Sequence, residues 1–212
     1  MPRTCLELVF ILDRSASMTY WEQQTVESFN SVIEQQKKVP GECRITTVLF
    51  NSECEIIHDL LPVEAVEPLT IEKFTAQGHT ALLDTIGRMI QRVQAIREFT
   101  SDADMTWQTM FVIITDGMDN ASHIYNQEQI KALVQWQQKH KAWKFIFFGA
   151  NMDAKAVAQE IGIEPEDAVT FIQNGQGLLL SYEAASQVIR EYRETGTVSY
   201  CWRRLLEGDC KE

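Results

Sequence analysis

The feature that most restricts how this chain can fold is a rhythm. Short apolar runs rich in β-branched and aromatic residues alternate with longer stretches whose apolar residues recur every three or four positions. The runs are "CLELVFIL" (5–12), "CRITTVLFN" (43–51), "QTMFVIIT" (108–115), "KAWKFIFFGA" (141–150) and "AVTFIQ" (168–173). The first and third are almost continuously apolar, the signature of strands covered on both faces. Residues 20–38 place Val26, Phe29 and Ile33 on one helical face, and residues 80–97 do the same with Leu83, Ile86, Ile90, Val93 and Ile96. Residues 126–140, 154–162 and 177–194 read as further helices; Gly162 is the usual left-handed cap, and Leu180, Ala184, Val188 and Tyr192 lie near one face of the last. "EIIHDLLPV" (55–63) has charged and proline-containing borders, which suit a sheet edge. Strands alternating with long crossovers predict a doubly wound, mostly parallel α/β sheet with helices on both faces.

At 212 residues and 45% hydrophobic, the chain can bury one sizeable core, expected over residues 1–195, with 196–212 as a tail of unassigned role. The tail could pack on the sheet edge, bind a partner, or present Glu207 or Asp209 to a neighbour's metal. A net charge of −11 argues against tracking nucleic acid or anionic lipid. Arg203–Arg204 beside Trp202 is the candidate basic patch, and a solvated tail is the simpler reading. The five cysteines show no C-x-x-C spacing. Cys5 and Cys43 read as buried thiols of a reducing compartment, and a Cys201–Cys210 bridge has little to favour it. A strand begins by about residue 5, no signal-peptide pattern precedes it, and no run reaches 18 apolar residues, so a cytoplasmic protein without a membrane span is expected.

In parallel α/β sheets ligands sit at the carboxyl ends of strands. There the sequence places Asp13, Ser15 and Ser17 after the first run, Thr80 opening a helix after "AQGH", and Asp116 after the 108–115 run, with Gly117 allowing a tight turn. An extended backbone would put Asp13, Ser15 and Ser17 on one side. Singly, each has a plainer explanation: a helix cap for the serines and Thr80, an Asx turn for Asp116. Together they are five oxygen donors at three segment ends, which is what a hard cation such as Mg²⁺ requires. Two carboxylates at most neutralise a divalent ion, so three neutral hydroxyls leave it electrophilic and able to take one more anionic ligand.

Asp13-x-Ser15-x-Ser17, a lone Thr80 opening a helix, and Asp116 in "TDG" resemble the metal-ion-dependent adhesion site (MIDAS) of von Willebrand factor type A (vWA) domains. "TALLDTIG" and "FFGANMDAKAVA" further resemble stand-alone bacterial or phage members. The resemblance covers about residues 5–194 and implies a six-stranded sheet with one antiparallel edge strand, here within 55–61. It implies Mg²⁺ (or Mn²⁺) held directly by Ser15 and Ser17, by Thr80 directly or through water, and by Asp13 and Asp116 directly or through water. It implies a non-enzymatic module whose protein partner supplies an Asp or Glu carboxylate to the metal. In that family partner binding can shift the C-terminal helix, here 177–194.

His79, Asp119 and Trp21 are candidates for a partner-contacting rim, although a solvated turn is the commoner reading for a loop histidine such as His79 and core packing fits Trp21 equally well. His123 reads as a turn residue, and Asp84 as either an acceptor behind the site or a surface charge. "NGQGLLL" (174–180) lacks a full phosphate-loop pattern and reads as the turn into the last helix. The competing function is a Mg²⁺-dependent phosphohydrolase using Asp13. That chemistry wants a second carboxylate at position 15, where a serine stands, and a lysine near the motif, where the sequence has none. A serine hydrolase is disfavoured by the lack of G-x-S-x-G.

Overall fold

A computed structural model describes residues 3–99 and 105–208. The strands are β1 (Arg3–Asp13), β2 (Glu42–Phe50), β3 (Cys54–Pro62), β4 (Met105–Thr115), β5 (Lys144–Ala150) and β6 (Ala168–Phe171). They form one six-stranded sheet in the order β3-β2-β1-β4-β5-β6, with β3 alone antiparallel, at the edge. The α/β class, the doubly wound sheet and the antiparallel edge strand are thus as expected. The order reverses between β1 and β4, so a crevice opens where the loops after these two strands diverge.

Side-chain alternation along the strands divides the core in two. Leu6, Leu8, Phe10 and Leu12 of β1 face α1 (Glu22–Gln36) and α5 (Gly175–Thr195). Val9 and Ile11 face α2 (Leu82–Phe99), α3 (Gln127–Lys141) and α4 (Ala154–Glu160). Phe10 meets Phe29 of α1 edge-on at 5.2 Å between ring centroids. Truncating such a fully buried ring costs about 3–5 kcal/mol. Fully buried Gln36 donates to the carbonyl and hydroxyl of Ser186, and Arg193 donates to the carbonyls of Gln36, Val39 and Gly41. α5 thereby closes the carbonyl end of α1, which would otherwise be unsatisfied.

Local chemistry explains the helix ends. Asn126 caps α3 in a reciprocal box with Gln129, and Asn174 caps α5 by accepting from the Gly177 amide at 2.7 Å. "NGQGLLL" is therefore the turn into α5. Strand β4 starts earlier than residue 108, and α2 starts at Leu82, leaving Thr80 in the preceding loop.

The segment after residue 195 is not a solvated tail. It forms a 3-10 turn (Cys201–Arg203) and the short α6 (Arg204–Glu207), and buries Trp202 completely against Phe148, with centroids 5.4 Å apart. Arg203 lies over the Tyr200 ring and Lys155 pairs with Glu207, so Trp202 is not an exposed stacking platform beside basic residues. The reason is hydrophobic: a free indole beside an uncovered β5 surface gains more by burial than the short connection loses in chain entropy. Asp209 and Cys210, and with Cys210 the possible bridge to Cys201, lie outside the described residues. Cys5 and Cys43 are buried free thiols, pushed up to about 11 and about 12 by burial, and are chemically quiet. Among the described residues no helix is long and apolar enough to cross a membrane.

Candidate metal centre

Four of the five oxygen-bearing residues meet in one hydrogen-bonded chain. Asp13 ends β1. One of its carboxylate oxygens accepts from the Ser15 amide at 2.7 Å, and the other accepts from the Thr115 hydroxyl at 2.6 Å. The Ser15 and Ser17 hydroxyl oxygens are 3.0 Å apart. Ser17 donates to Asp116 at 2.7 Å, and Gln173 donates to the other Asp116 oxygen. The backbone is extended at Ser15 but turns into a 3-10 helix over Ala16–Tyr20. Ser17 therefore reaches the cluster from a tight turn, not along an extended strand as the i, i+2, i+4 argument supposed.

Thr80 is brought in by its backbone. The Ala16 amide donates to the Gly78 carbonyl at 3.1 Å, and the Gln77 amide donates to the Arg14 carbonyl at 2.9 Å, zipping the two loops together. The Thr80 amide donates to Asn120 and the Thr80 carbonyl accepts from the Asn120 and Ala121 amides. Its buried hydroxyl faces Gly117, where an added Cβ would sit 3.2 Å from the Thr80 oxygen. Gly117 thus eases a close approach that a side chain would tighten; it has no positive φ, so conformational freedom at a turn is not the reason.

Burial pushes the Asp13 carboxyl up to about 6, against the opposing hydrogen bonds from Thr115 and Ser15. Burial also raises Asp116, against hydrogen bonds from Ser17 and Gln173. The groups acting on these two acids are hydroxyls, amides and each other, not cations. Among the described residues no group of three or more His, Cys, Asp or Glu side chains is placed to hold a metal. Any cation here would need the serine and threonine hydroxyls as well as the two carboxylates, an all-oxygen set of the kind hard cations use.

The expected rim divides. His79 is exposed beside the cluster, its amide donating to Ser52. Asp119 accepts from the Leu83 amide and the Ser122 hydroxyl, so it caps the start of α2. Trp21 is only partly exposed and packs on the α1–α5 core. Asp84 is no surface charge: it is buried and accepts the amides of His123, Ile124 and Tyr125. Sequence reading missed Thr115, Gln173 and Asn120. A threonine directly before Asp116 at the end of a buried strand was a usable signal for Thr115. Gln173 and Asn120 act across 57 and 40 residues, and no local pattern marks them.

No family model and no curated protein matches the chain by sequence. Solved structures do resemble it. Proximal thread matrix protein 1 from the mussel byssus, with a zinc-occupied MIDAS motif, aligns with TM-score 0.58 at 14% identity over 89% of this chain and 46% of its own. A manganese-loaded TRAP protein of Plasmodium vivax aligns with TM-score 0.55 at 13% identity, covering 85% and 73% of the two chains. A von Willebrand factor type A structure from Catenulispora acidiphila gives TM-score 0.52 at 14% identity over 88% and 42%. The present chain thus spans less than half the length of the mussel protein. At these identities the likeness establishes the fold: the chain has the vWA architecture.

Proposed function

We propose that the chain is a non-enzymatic, metal-dependent protein-interaction module. In this reading Asp13, Ser15, Ser17, Thr80 and Asp116 hold Mg²⁺ or Mn²⁺, and a partner's Asp or Glu carboxylate completes the coordination. The observation that carries it is the serine pair. Neighbouring ligands of an octahedral Mg²⁺ with bonds of 2.0–2.1 Å lie about 3 Å apart, and the Ser15 and Ser17 oxygens are 3.0 Å apart. Ser17 gives its proton to Asp116, so its oxygen is left to accept, here from the Ser15 hydroxyl, and would serve an ion once that hydroxyl turned away. Both oxygens of Asp13 accept hydrogen bonds, which suits contact with the ion through water and orientation of Ser15. A buried acid and a half-buried one, without a cation among the groups that act on them, gain most from a divalent ion. Solved structures of similar fold, one with a zinc-occupied MIDAS motif and one loaded with manganese, support a divalent ion here.

The phosphohydrolase reading fits less well. Asp13 is 1% exposed with both oxygens engaged, so it is badly placed to attack phosphorus. A cytoplasmic setting remains part of the proposal, resting on the sequence argument alone.

The test is a pull-down from lysate with Mg²⁺ or with EDTA, using wild type and Asp116→Ala. Capture that needs both the metal and Asp116 supports the reading; capture that survives chelation overturns it. Hydrolysis of a generic phosphate ester with Mg²⁺, lost in Asp13→Asn, would instead establish the enzyme.

A further inference from the structure

Gln173 reaches the oxygen cluster from the loop after β6, two strands away. β5 lies between β4 and β6, so the strands that carry Asp116 and Gln173 at their ends run about 10 Å apart at the usual strand spacing. Thr115 is in register with Gly149 of β5, and Ala150 of β5 with Phe171 of β6. The Gln173 side chain crosses the end of β5 and donates its amide nitrogen to one oxygen of Asp116, while Ser17 donates to the other.

The crossing is supported in the middle by Asn151, which follows β5 directly. The Gln173 backbone amide donates to Asn151 Oδ1 at 3.1 Å, and Asn151 Nδ2 donates to Gln173 Oε1 at 3.3 Å. The Asn151 backbone is left-handed, with φ 52°, a conformation asparagine adopts more readily than most residues. Its own amide donates to the Phe171 carbonyl at 3.0 Å, which ties this turn to the end of β6.

The direction of every bond in this chain follows from one end. A backbone N–H can only donate, so Asn151 turns its oxygen to the Gln173 amide and its nitrogen to the Gln173 side-chain oxygen. The Gln173 nitrogen is then left facing Asp116, and an ionised carboxylate only accepts. Neither side-chain amide can flip without setting donor against donor or acceptor against acceptor.

Asp116 is therefore gripped on both oxygens by neutral donors, which fix its plane and leave its charge uncancelled. Each oxygen keeps a further lone pair for an ion or for a water on the ion. Carboxylates that serve metals are held by such hydrogen bonds, and losing one typically costs about 10–100-fold in metal affinity. Resting on the metal-site reading above, we propose that Gln173 is the positioning residue of Asp116: aligned by Asn151, its N–H donor sets the carboxylate for a divalent cation.

Calorimetric titration with Mn²⁺ tests it, with the melting temperature in EDTA as a second readout. The wild type should bind at one site, and Asp116→Ala should not bind. Gln173→Met keeps the length and loses the donor; Gln173→Asn keeps the donor and loses the reach. Both should weaken Mn²⁺ by about tenfold or more, with melting temperatures in EDTA within a few degrees of wild type. Asn151→Gly suits the left-handed backbone and removes only the support, so it should weaken Mn²⁺ by a smaller factor. Gln173→Lys brings a cation of similar reach onto Asp116. It should weaken Mn²⁺ more than Gln173→Met does while leaving the melting temperature in EDTA equal or higher, which a purely structural glutamine would not do. No binding by the wild type, or binding unchanged in Asp116→Ala, would overturn the metal reading and this proposal with it. Binding that Asp116→Ala abolishes but Gln173→Met and Gln173→Asn leave unchanged would overturn the role of Gln173 alone.

Discussion

Asp13 and Asp84 are both buried aspartates near the carboxyl end of the sheet, and the protein holds them in opposite ways. Burial disfavours the charge of each. At Asp84 three amides in a row, from Tyr125, His123 and Ile124, outweigh burial and hold the carboxyl below its usual range. At Asp13 one amide and one hydroxyl do not outweigh it, and the carboxyl is pushed up to about 6. Asp84 is therefore complete as it stands: it pins the 119–126 loop to α2. Asp13 carries a charge that the polypeptide alone leaves under-compensated, as a residue prepared for a cation would. The same residue type, with little surface exposed in either place, reads as structure at Asp84 and as a candidate site at Asp13 because Asp13 lies deeper and receives fewer amides.

The comparison can be broken by mutation. Asp84→Ala leaves three inward amides without an acceptor and should destabilise the fold by about 3 kcal/mol or more, read from urea unfolding. Asp13→Asn, measured in EDTA, should cost less than about 1 kcal/mol, since it removes a disfavoured charge. Equal losses in the two variants would show that the contrast is illusory.

Metal should separate them next. At a concentration of Mg²⁺ or Mn²⁺ about 100 times its dissociation constant, the wild type should gain about 2.7 kcal/mol. Ser15→Ala and Thr80→Ala should lose that gain. A gain that persists in both would place the ion elsewhere.

Acidity should then pull the two apart with opposite sign. Asp84 has a depressed carboxyl in the fold, so its contribution is present above the ordinary aspartate range and is lost as pH falls through its folded value. Asp13 has a raised one, so metal-free stability is greatest below pH 3.8 for this group and declines as pH rises toward about 6. Metal affinity follows the reverse course, weakening as pH falls through about 6, because the proton competes with the ion. Calorimetric metal titrations at several pH values check this; affinity independent of pH between 5 and 7 would count against a role for Asp13.

The smallest effect is expected at Gly117→Ala. Its methyl would press on the Thr80 hydroxyl at 3.2 Å, so metal affinity should drop a few-fold with little change in stability. An unchanged affinity would show that the Gly117–Thr80 approach does not tune the site.

Much of the fold was legible because burial on both faces forces nearly continuous apolar strands, and helices covering them must repeat near 3.6 residues. β1 and α1 announce themselves in this way. Asp13 and Asp116 could be picked out because they sit directly at strand ends, whereas Ser17 and Thr80 lie in a turn and a loop whose course the fold sets. Trp202 was not legible, since the adjacent Arg203–Arg204 pair outweighs one indole in a local reading. Nor was the 3-10 turn at Ser17, where the loop from Gly78 to Thr80 fixes the backbone.

The sequence by itself determined the α/β class and the parallel core strands, and put two acids at strand ends, because periodicity and strand-end position are local properties of a chain. Tertiary structure alone decided which aspartate is satisfied, which glutamine reaches Asp116, and that the last residues of the described chain close over β5. Each of those depends on groups far apart in sequence meeting at hydrogen-bond or van der Waals distance, and only the folded chain sets such distances.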